Sequence, residues 1–339
     1  MDRISGLRDY LKTSSYLEAL GIPEDMETEY TMLAQGEYNI NYHFVHPVTR
    51  RALVLRINTA SQMNLENQVE YEYRTLKLLE ESGRTPEVLY FDPAPQNMEY
   101  GVIVMDFLKG RHLDYKSDLV SAASCLADIH SVRVNEESHL ISPEDPLEAV
   151  MEECREMIKT YYESPLADEK KKALIADLLE RGSKKIREYN SYKGYRCCIN
   201  TELNSTNFLI NESEGQDFLV DWEKPLYGDP AQDIGHFLAP TTTFWKTDVI
   251  LGRDEMDDFI SVYEKAVAGR FDTCGLRDRV NVYIPINCLR GITWCAMAWV
   301  QYKDPQRLIA NESTRIKLEQ YLDMEFLQRI ERDYFYHGI

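Results

Sequence analysis

Two short segments of this 339-residue chain read NTELNSTN at residues 200–207 and FLVDWE at residues 218–223. In the first segment the carboxylate of Glu202 precedes the amide of Asn207 by five residues, and in the second Asp221 follows an apolar run. This order suits phosphoryl transfer, because one carboxylate can orient or deprotonate a hydroxyl while an amide and a second carboxylate hold Mg²⁺ through oxygen atoms. The spacing from Glu202 to Asn207 is weak evidence alone, and a polar turn capped by Asp221 is the alternative interpretation.

The chain around these segments changes character along its length. A hairpin is predicted next to them, with FLI and DFLVD as its strands and NESEGQ as its turn. The first hundred residues read as strands around one helix. The predicted elements of this part are an amphipathic helix at 6–20, strands at 30–44 (with Gly36 in the middle), 52–58, 87–91 and 101–106, and a helix at 62–82.

After Gly110 the pattern is mainly helical. Helices are predicted at 117–131 and at 146–190 with a break near Ser164 and Pro165, then a strand and loop at 195–207, then mostly helix over 231–335. The stretch 280–302 carries Arg290 as its only charge, but its apolar run after Arg290 is too short to cross a bilayer. A buried core helix is therefore expected there, and no membrane partner.

The amino-acid composition disfavours several classes of partner and binding site. Lys and Arg number 38 against 57 Asp and Glu, a net charge of −19, so nucleic acid is a poor partner. A cationic small substrate is compatible with that charge, although most acidic surfaces only increase solubility. Seven cysteines without a CxxC pair argue against zinc and a disulfide framework and favour a reducing cytoplasm. The N-terminus lacks the apolar region of a signal peptide.

The segments together resemble the aminoglycoside phosphotransferase and choline kinase family, relatives of the protein kinases. That family carries H-x-D-x-x-x-x-N, a hairpin, I-D-W/F-x and then G-D-P-x-x-D, and this chain has NTELNSTN, FLVDWE and GDPAQDIG in matching places over roughly residues 28–300. The resemblance implies an α+β, protein kinase-like fold with two lobes. A helical extension would occupy 1–27, a nucleotide-binding N-lobe 28–105, and a C-lobe with the catalytic loop and substrate-binding helices 106–339.

The resemblance also implies roles for the central residues. Glu202 takes the place of the catalytic Asp, and Asn207 and Asp221 become metal ligands. Asp233 would pin the catalytic loop from the start of a helix, with Asp229 and Pro230 shaping the preceding turn. Asn200 replaces the family's His and keeps a structural, hydrogen-bonding role. The longer Glu side chain requires a re-tuned geometry for proton transfer.

In the N-lobe, the loop LAQGEYN at 33–39 resembles the family's short nucleotide loop, where N–H groups near Gly36 would meet phosphate oxygens; a plain hairpin turn is the alternative. Arg56 stands where the family's strand Lys binds the phosphates, and its guanidinium also matches phosphate. The alternative for Arg56 is a surface residue on an edge strand. Glu72 resembles the helix Glu that pairs with that cation, with Glu70 as the competing choice and Glu66 a weaker one.

The segment MDFLKG at 105–110 resembles the linker between the lobes, where the backbone from Asp106 to Leu108 would bond the edge of the adenine. Downstream, LADIHS resembles a family helix, in which His130 is expected to be a packed helix-end residue and not a catalyst.

The acceptor side is less defined. Aromatic residues of the C-lobe are candidates for a substrate wall, although core packing is the favoured interpretation for most of them and a cage for a quaternary amine the alternative. They are Trp245, Trp294, Trp299 and Tyr302. A crowded row of glutamates either attracts an amine or forms a solvated face, the latter being favoured. These are Glu148, Glu152, Glu153 and Glu156.

The resemblance therefore implies a kinase that uses ATP and Mg²⁺ to phosphorylate a small hydroxylated molecule such as an aminoglycoside, choline or a sugar, and the acidic charge is compatible with a cationic acceptor. A nucleotide-binding pseudokinase with a binding or regulatory role is the alternative. The acceptor, the choice of ATP over GTP and the oligomeric state stay open.

Overall fold

The computed structural model describes residues 4–36, 38–61, 63–135, 137–189, 194–213, 215–303 and 312–336. A five-stranded sheet with three helices forms one lobe, and a larger, mainly helical lobe follows it in the chain. The predicted two-lobe α+β architecture is confirmed. Two residues of predicted turns, Glu37 and Glu214, lie outside the described ranges.

The N-lobe sheet is antiparallel throughout, with strand order β1-β2-β3-β5-β4. Its strands are β1 (Tyr30–Gln35), β2 (Asn39–Val45), β3 (Ala52–Asn58), β4 (Val88–Asp92) and β5 (Val102–Asp106). The central strand β3 reads ALVLRIN and is buried along most of its length because both faces are covered. Arg56 therefore projects from an interior strand and not from an edge.

Two short helices precede the sheet, α1 (Leu7–Tyr10) and α2 (Ser14–Leu20), where a single helix was expected. The chain breaks at Thr13, whose side chain accepts the N–H of Tyr16 at 3.4 Å and so caps α2. Leu7 and Tyr16 are fully buried in the same cluster as the sheet residues. The N-terminal helices thus share the core of the N-lobe.

Helix α3 (Gln68–Leu79) lies between β3 and β4 and ends in a 3-10 turn, Glu80–Ser82. It begins six residues later than the predicted helix at 62–82, because the Asn67 side chain accepts the N–H of Glu70 at 3.0 Å and caps it there. Glu72, Leu76 and Leu79 are buried on one face. This face presents Glu72 to the sheet interior.

The C-lobe contains nine described α-helices and two small antiparallel sheets, β10-β7 and β6-β8-β9. Its elements are β6 (Arg111–His112), α4 (Leu119–His130), α5 (Pro146–Glu163), α6 (Glu169–Glu188), β7 (Cys197–Ile199), β8 (Phe208–Ile210), β9 (Phe218–Leu219), β10 (Leu226–Gly228), α7 (Pro230–Leu238), α8 (Pro240–Lys246), α9 (Arg253–Val267), α10 (Leu276–Tyr302), α11 (Glu312–Tyr321) and α12 (Met324–Ile330). The sequence did not predict β6 and β10, which are too short to show a period-two pattern.

Helix α10 is the longest described helix, and neighbouring helices pack along it. Most of its residues from Val280 to Ala298 are buried, which agrees with the expected core helix. Across the described ranges, no helix is both long and apolar enough to cross a membrane. The seven cysteines, all described, are free thiols, and Cys274 alone among them is exposed.

Candidate active site

The predicted catalytic loop runs from the end of β7 to the start of β8 and is fastened to α7 by Asp233. The Asp233 carboxylate is fully buried and accepts the backbone N–H groups of Asn200 and Thr201, each at 2.7 Å. The Nε2 atom of His130 lies 3.2 Å from the same carboxylate, and its Nδ1 atom lies 2.8 Å from the Tyr263 hydroxyl. The loop is thereby held at its first two residues, and His130 is a buried packing residue.

We expect Asp233→Ala to destabilise the protein by about 3 kcal/mol or more, because two buried N–H groups lose their acceptor at about 1–3 kcal/mol each. Urea unfolding would measure the difference. Asp217→Ala serves as the control. The Asp217 carboxylate lies at the hairpin turn and accepts the backbone N–H of Asn211 at 3.0 Å. A smaller loss for Asp233→Ala than for Asp217→Ala would contradict the assigned anchoring.

Thr201 and Asp221 both adopt a left-handed backbone conformation, with φ of 71° at each. Non-glycine residues rarely hold this conformation, and it concentrates at functional sites where surrounding contacts maintain it. The Thr201 hydroxyl donates to the Lys224 carbonyl at 2.8 Å, and the Asn200 side-chain amide donates to the Asp221 carbonyl at 2.8 Å. Asn200 thus ties the loop to the far end of the hairpin, the hydrogen-bonding role expected for it.

The two predicted metal ligands meet at this point. The Asn207 side-chain amide lies 3.5 Å from the Asp221 carboxylate, which is half exposed. The Asn207 Oδ1 atom accepts the N–H of Asn204 at 3.1 Å and retains a second lone pair. Among the described residues, no group of three or more His, Cys, Asp or Glu side chains has metal-binding geometry. Two side chains suit Mg²⁺, which keeps water molecules and substrate phosphates as further ligands.

Arg56 lies at the centre of a group of three carboxylates, Glu72, Asp221 and Glu223. Its Nε atom is 2.9 Å from Glu72, and its Nη2 atom is 3.2 Å from Asp221 and 2.6 Å from Glu223. Of the three candidate glutamates, the structure therefore brings Glu72 to Arg56, whereas Glu70 is exposed at the start of α3 and Glu66 precedes the helix. Three carboxyl groups around one guanidinium leave a net negative charge beside the cleft, which fits a divalent cation.

Burial affects the ionisation of this group. It raises the pKa of Glu72, and the neighbouring Arg56 only partly offsets that effect. Burial raises the pKa of Glu223 to about 7. Arg56 opposes this rise, and the nearby Asp221 adds to it. Burial also disfavours the Arg56 cation, but Glu72, Asp221 and Glu223 outweigh it and raise the Arg56 pKa.

The remaining nucleotide-side residues lie along the N-lobe sheet. The N–H of Gly36 donates to the Asn39 carbonyl at 2.9 Å and closes the turn between β1 and β2. At the linker, the N–H groups of Asp106 and Phe107 donate to the carbonyls of Glu87 and Ala52, each at 3.0 Å. Both N–H groups are therefore engaged within the N-lobe, and the adenine contact of the backbone from Asp106 to Leu108 stays a prediction.

A cavity of about 660 Å³ adjoins Glu202 on the other side of the catalytic loop. One face of α10 forms much of its wall, since these residues recur at three- and four-residue intervals. They are Asn287, Arg290, Gly291, Trp294, Ala298 and Gln301. Tyr38 of the N-lobe and Trp245 of α8 also line it, so the cavity opens between the lobes.

Of the predicted aromatic residues, Trp245, Trp294 and Tyr302 line this cavity. The rings of Trp245 and Trp294 meet nearly at a right angle, with centroids 5.2 Å apart, and Trp294 is 38% exposed. Trp299 instead packs against Tyr161 at a ring distance of 6.0 Å. The two tryptophans form an aromatic corner, which we call the Trp corner.

Gly291 allows α8 to approach α10 closely. A Cβ atom at this position would lie 2.5 Å from the Cβ of Thr241, far inside van der Waals contact. Because α8 also carries Trp245, this close approach sets the distance between the two rings of the Trp corner.

The sequence matches the model of the phosphotransferase enzyme family over residues 29–266. The chain belongs to this family. No curated protein sequence matches the chain at a significant level. The matched range contains the catalytic loop, the hairpin and α7, and it ends before α10 begins.

Solved structures of this family type share the fold. The choline kinase of Cryptosporidium parvum superposes with a TM-score of 0.63 at 14% identity, covering 90% of each chain. The Plasmodium vivax ethanolamine kinase gives 0.62 at 14% identity, covering 96% of this chain and 91% of its own. Spectinomycin phosphotransferase, solved with ADP and spectinomycin, gives 0.60 at 13% identity, covering 91% and 92%. The fold is therefore kinase-like, and the chain is a member of the phosphotransferase enzyme family.

Three residues at this phosphotransferase site were not predicted to act there: Glu223, Arg290 and Glu153. Glu223 stands two positions after Asp221, a spacing that places both side chains on one side of an extended segment. Arg290 was the single charge in the stretch 280–302, and a buried charge requires a partner. Glu153 was considered only as part of an acidic row, and nothing in its sequence context separates it from Glu152 or Glu156.

The phosphotransferase should show a pH dependence of stability that comes from Glu223. Its folded-state pKa of about 7 exceeds the reference value of 4.5, so the folded protein retains a proton that the unfolded chain has lost. This stabilisation is complete below the unfolded pKa and is lost as the pH rises through about 7. In Mg²⁺-free buffer, the wild-type Tm should therefore fall more steeply between about pH 5 and pH 8 than that of Glu223→Gln. Parallel Tm curves for the two proteins would refute this assignment.

Proposed function

We propose that the protein transfers the terminal phosphoryl group of ATP to a hydroxyl of a small molecule in a Mg²⁺-dependent reaction. The observation that carries this proposal is that one loop holds Glu202 at the wall of a cavity and Asn207 beside Asp221. Asn207 and Asp221 lie 3.5 Å apart on the nucleotide side, and Glu202 faces the cavity on the other. One loop thus separates a site for phosphates from a site for an acceptor.

On the nucleotide side, the Asp106 carbonyl and the Leu108 N–H would bind the adenine edge. Arg56 would bind the phosphates through its guanidinium, and its salt bridge with Glu72 at 2.9 Å would hold that guanidinium in place. The turn at Gly36 would lie over the phosphates, with its own N–H engaged to Asn39.

Asp221 and Asn207 would hold Mg²⁺, and the ion would supply positive charge against the negative charge that develops on the transferred phosphoryl group. The excess of negative charge around Arg56 supports this assignment. The left-handed backbone at Asp221 and its bond to Asn200 keep the half-exposed carboxylate turned away from the core. Catalysis then depends mainly on positioning and charge neutralisation.

Glu202 would orient the acceptor hydroxyl and accept its proton as the oxygen attacks the terminal phosphorus. Its side chain is 35% exposed, at the wall of the cavity. A carboxylate at this position can reach a hydroxyl in the cavity, while Asn207 and Asp221 stay on the phosphate side of the loop.

We further infer that the acceptor is not selected by a strong negative field. The two glutamates that line the cavity, Glu153 and Glu202, are both paired with Arg290 at 3.0 Å, and Lys246 adds a positive charge to the wall. Burial, aided by Arg290, lowers the pKa of His236 to about 4, so this wall residue is uncharged at neutral pH. A hydroxylated molecule with a flat or apolar part that contacts the Trp corner fits this wall better than a polycation does.

A pseudokinase that binds nucleotide without turnover is the second candidate. The contact of 3.2 Å between Arg56 and Asp221 favours it, because that pairing competes with metal binding at Asp221. The surplus of acidic groups opposes it, since three carboxyl groups are more than one guanidinium needs as partners.

A phosphoryl-acceptor screen would test these proposals. The protein is incubated with Mg²⁺ and ATP labelled on its terminal phosphate, and with amphipathic alcohols, sugars, choline and aminoglycosides in separate reactions. Label transfer to an acceptor supports the kinase, and preference for polycations would overturn the inference about the wall. Nucleotide binding with neither label transfer nor slow ATP hydrolysis would favour the pseudokinase.

A further inference from the structure

The carboxylate of Glu202 is held from outside the catalytic loop by Arg290 of α10. The Nη2 atom of Arg290 lies 3.0 Å from Glu202, and its Nη1 atom donates to the Thr201 carbonyl at 3.4 Å. The Arg290 side chain is only 19% exposed, whereas that of Glu202 is 35% exposed. One guanidinium therefore contacts both the side chain of the predicted base and the backbone of the residue before it.

Arg290 is in turn held from the opposite side by Glu153 of α5. The Nε atom of Arg290 lies 3.0 Å from one oxygen of Glu153, and Lys224 lies 3.1 Å from the other. Burial raises the pKa of Glu153, but Arg290 and Lys224 outweigh that effect and lower its pKa overall. Burial also disfavours the Arg290 cation, while Glu202 and Glu153 outweigh it and raise the Arg290 pKa.

These contacts form a continuous row of alternating charges, Glu202–Arg290–Glu153–Lys224. Lys224 closes the row, because its carbonyl accepts the Thr201 hydroxyl beside Glu202. Arginine presents several N–H donors in a rigid plane, so it can fix the orientation of two carboxylates at once. The row thus determines where the Glu202 carboxylate lies relative to the loop.

We propose that Arg290, anchored by Glu153, is a positioning residue that fixes the Glu202 carboxylate for proton acceptance. A glutamate has one more rotatable bond than an aspartate, so its carboxylate needs an external contact to occupy a single position. Arg290 supplies that contact and makes the longer base usable on this loop. The inference rests on the proposed function, in which Glu202 is the base.

A double-mutant cycle tests this role with Mg·ATP hydrolysis, in which water is the acceptor. Arg290→Gln should lower kcat by about 10–100-fold, the size of loss that a small displacement of a catalytic group causes. The KM for ATP should be unchanged, because Arg290 lies on the acceptor side. In a Glu202→Gln background, Arg290→Gln should cause no further loss, since it acts through Glu202. Additive losses, a raised KM for ATP or an unchanged kcat would overturn the proposal.

A matched pair of variants on α5 separates positioning from folding. Glu153→Gln should lower kcat, as Arg290→Gln does. Glu152→Gln, one position earlier, removes an exposed ion pair with Arg155 at 3.0 Å and should leave kcat unchanged. Equal kcat values for Glu153→Gln and Glu152→Gln, with matching Tm values, would show that the anchor has no role.

Crystal structures of the wild type and Arg290→Gln give a readout that does not need turnover. The proposal requires that the Glu202 carboxylate occupies a different or a spread position in the variant, while the loop backbone stays bonded to Asp233. An unmoved Glu202 side chain would refute it. If the wild type shows neither hydrolysis nor transfer to any screened acceptor, the proposed function fails, and the position of Glu202 still decides whether Arg290 holds it.

Discussion

Asp221→Asn should abolish Mg²⁺-dependent ATP consumption while leaving the fold intact. The substitution removes one ligand charge from a hard-cation site and opens no cavity. The backbone contact from Asn200 to the Asp221 carbonyl does not involve the side chain and should persist. Arg56 retains Glu72 and Glu223 as partners. Release of ADP at saturating ATP and Mg²⁺ measures the effect, and circular dichroism with a Tm measurement checks the fold.

Glu212→Gln is the matched control for Asp221→Asn. Glu212 belongs to the turn of the same hairpin, is 73% exposed and pairs with Arg111 at 2.7 Å on the surface. Its substitution removes the same charge far from the cleft and should leave turnover at the wild-type rate. Near-wild-type turnover in Asp221→Asn would exclude Asp221 from the metal site.

Glu202→Gln should reduce phosphoryl transfer by roughly 10²–10⁴-fold, the usual contribution of a positioned proton acceptor. Glutamine keeps the shape of the side chain and can still contact Arg290, but it cannot take the proton. The affinity for Mg·ATP should change little, because Glu202 lies on the acceptor side of the loop. Steady-state kinetics with an acceptor found by screening, and calorimetric titration with Mg·ADP, would measure the two quantities.

Glu202→Asp separates the kinase from the pseudokinase. The substitution restores the family's residue. It also withdraws the carboxylate by one methylene from Arg290, which lies 3.0 Å from Glu202 in the wild type. In an active kinase adapted to glutamate, the Asp variant should be slower than wild type. A gain of activity from near zero would instead identify Glu202 as a degenerate remnant and favour the pseudokinase. A Gln variant as fast as wild type would remove Glu202 from the mechanism.

The sequence predicted the two-lobe fold and most of the cleft because the relevant signals are local. The catalytic loop, the hairpin and the start of α7 are contiguous motifs, and the strand containing Arg56 shows a clear apolar run. Glu72 was preferred to Glu70 because the motif E-x-x-x-L-x-x-L that it begins resembles the family's helix, and it is the α3 glutamate that contacts Arg56. Short contiguous motifs therefore predict many residues of the nucleotide side. The roles assigned to these residues still await experiment.

The acceptor side could not be predicted in the same way, because its contacts join distant parts of the chain. Arg290 and Glu202 are 88 positions apart, and Arg290 and Glu153 are 137 apart. No periodicity links such residues, so pairing depends on how α5 and α10 pack. The break between α1 and α2 was missed for a different reason: the Thr13 cap ended a run that otherwise looks continuous.

The family match ends at residue 266, before helix α10, which forms much of the cavity wall, begins. Residues 29–266 contain Arg56, Glu202, Asn207 and Asp221, whereas the wall formed by α10 lies beyond them. Under the proposed function, substitutions on this face of α10 other than at Arg290 would alter the choice of acceptor and leave the proposed phosphate-binding residues in place. Trp294, which is 38% exposed and lines the cavity, is a suitable first position for directed evolution toward new alcohols.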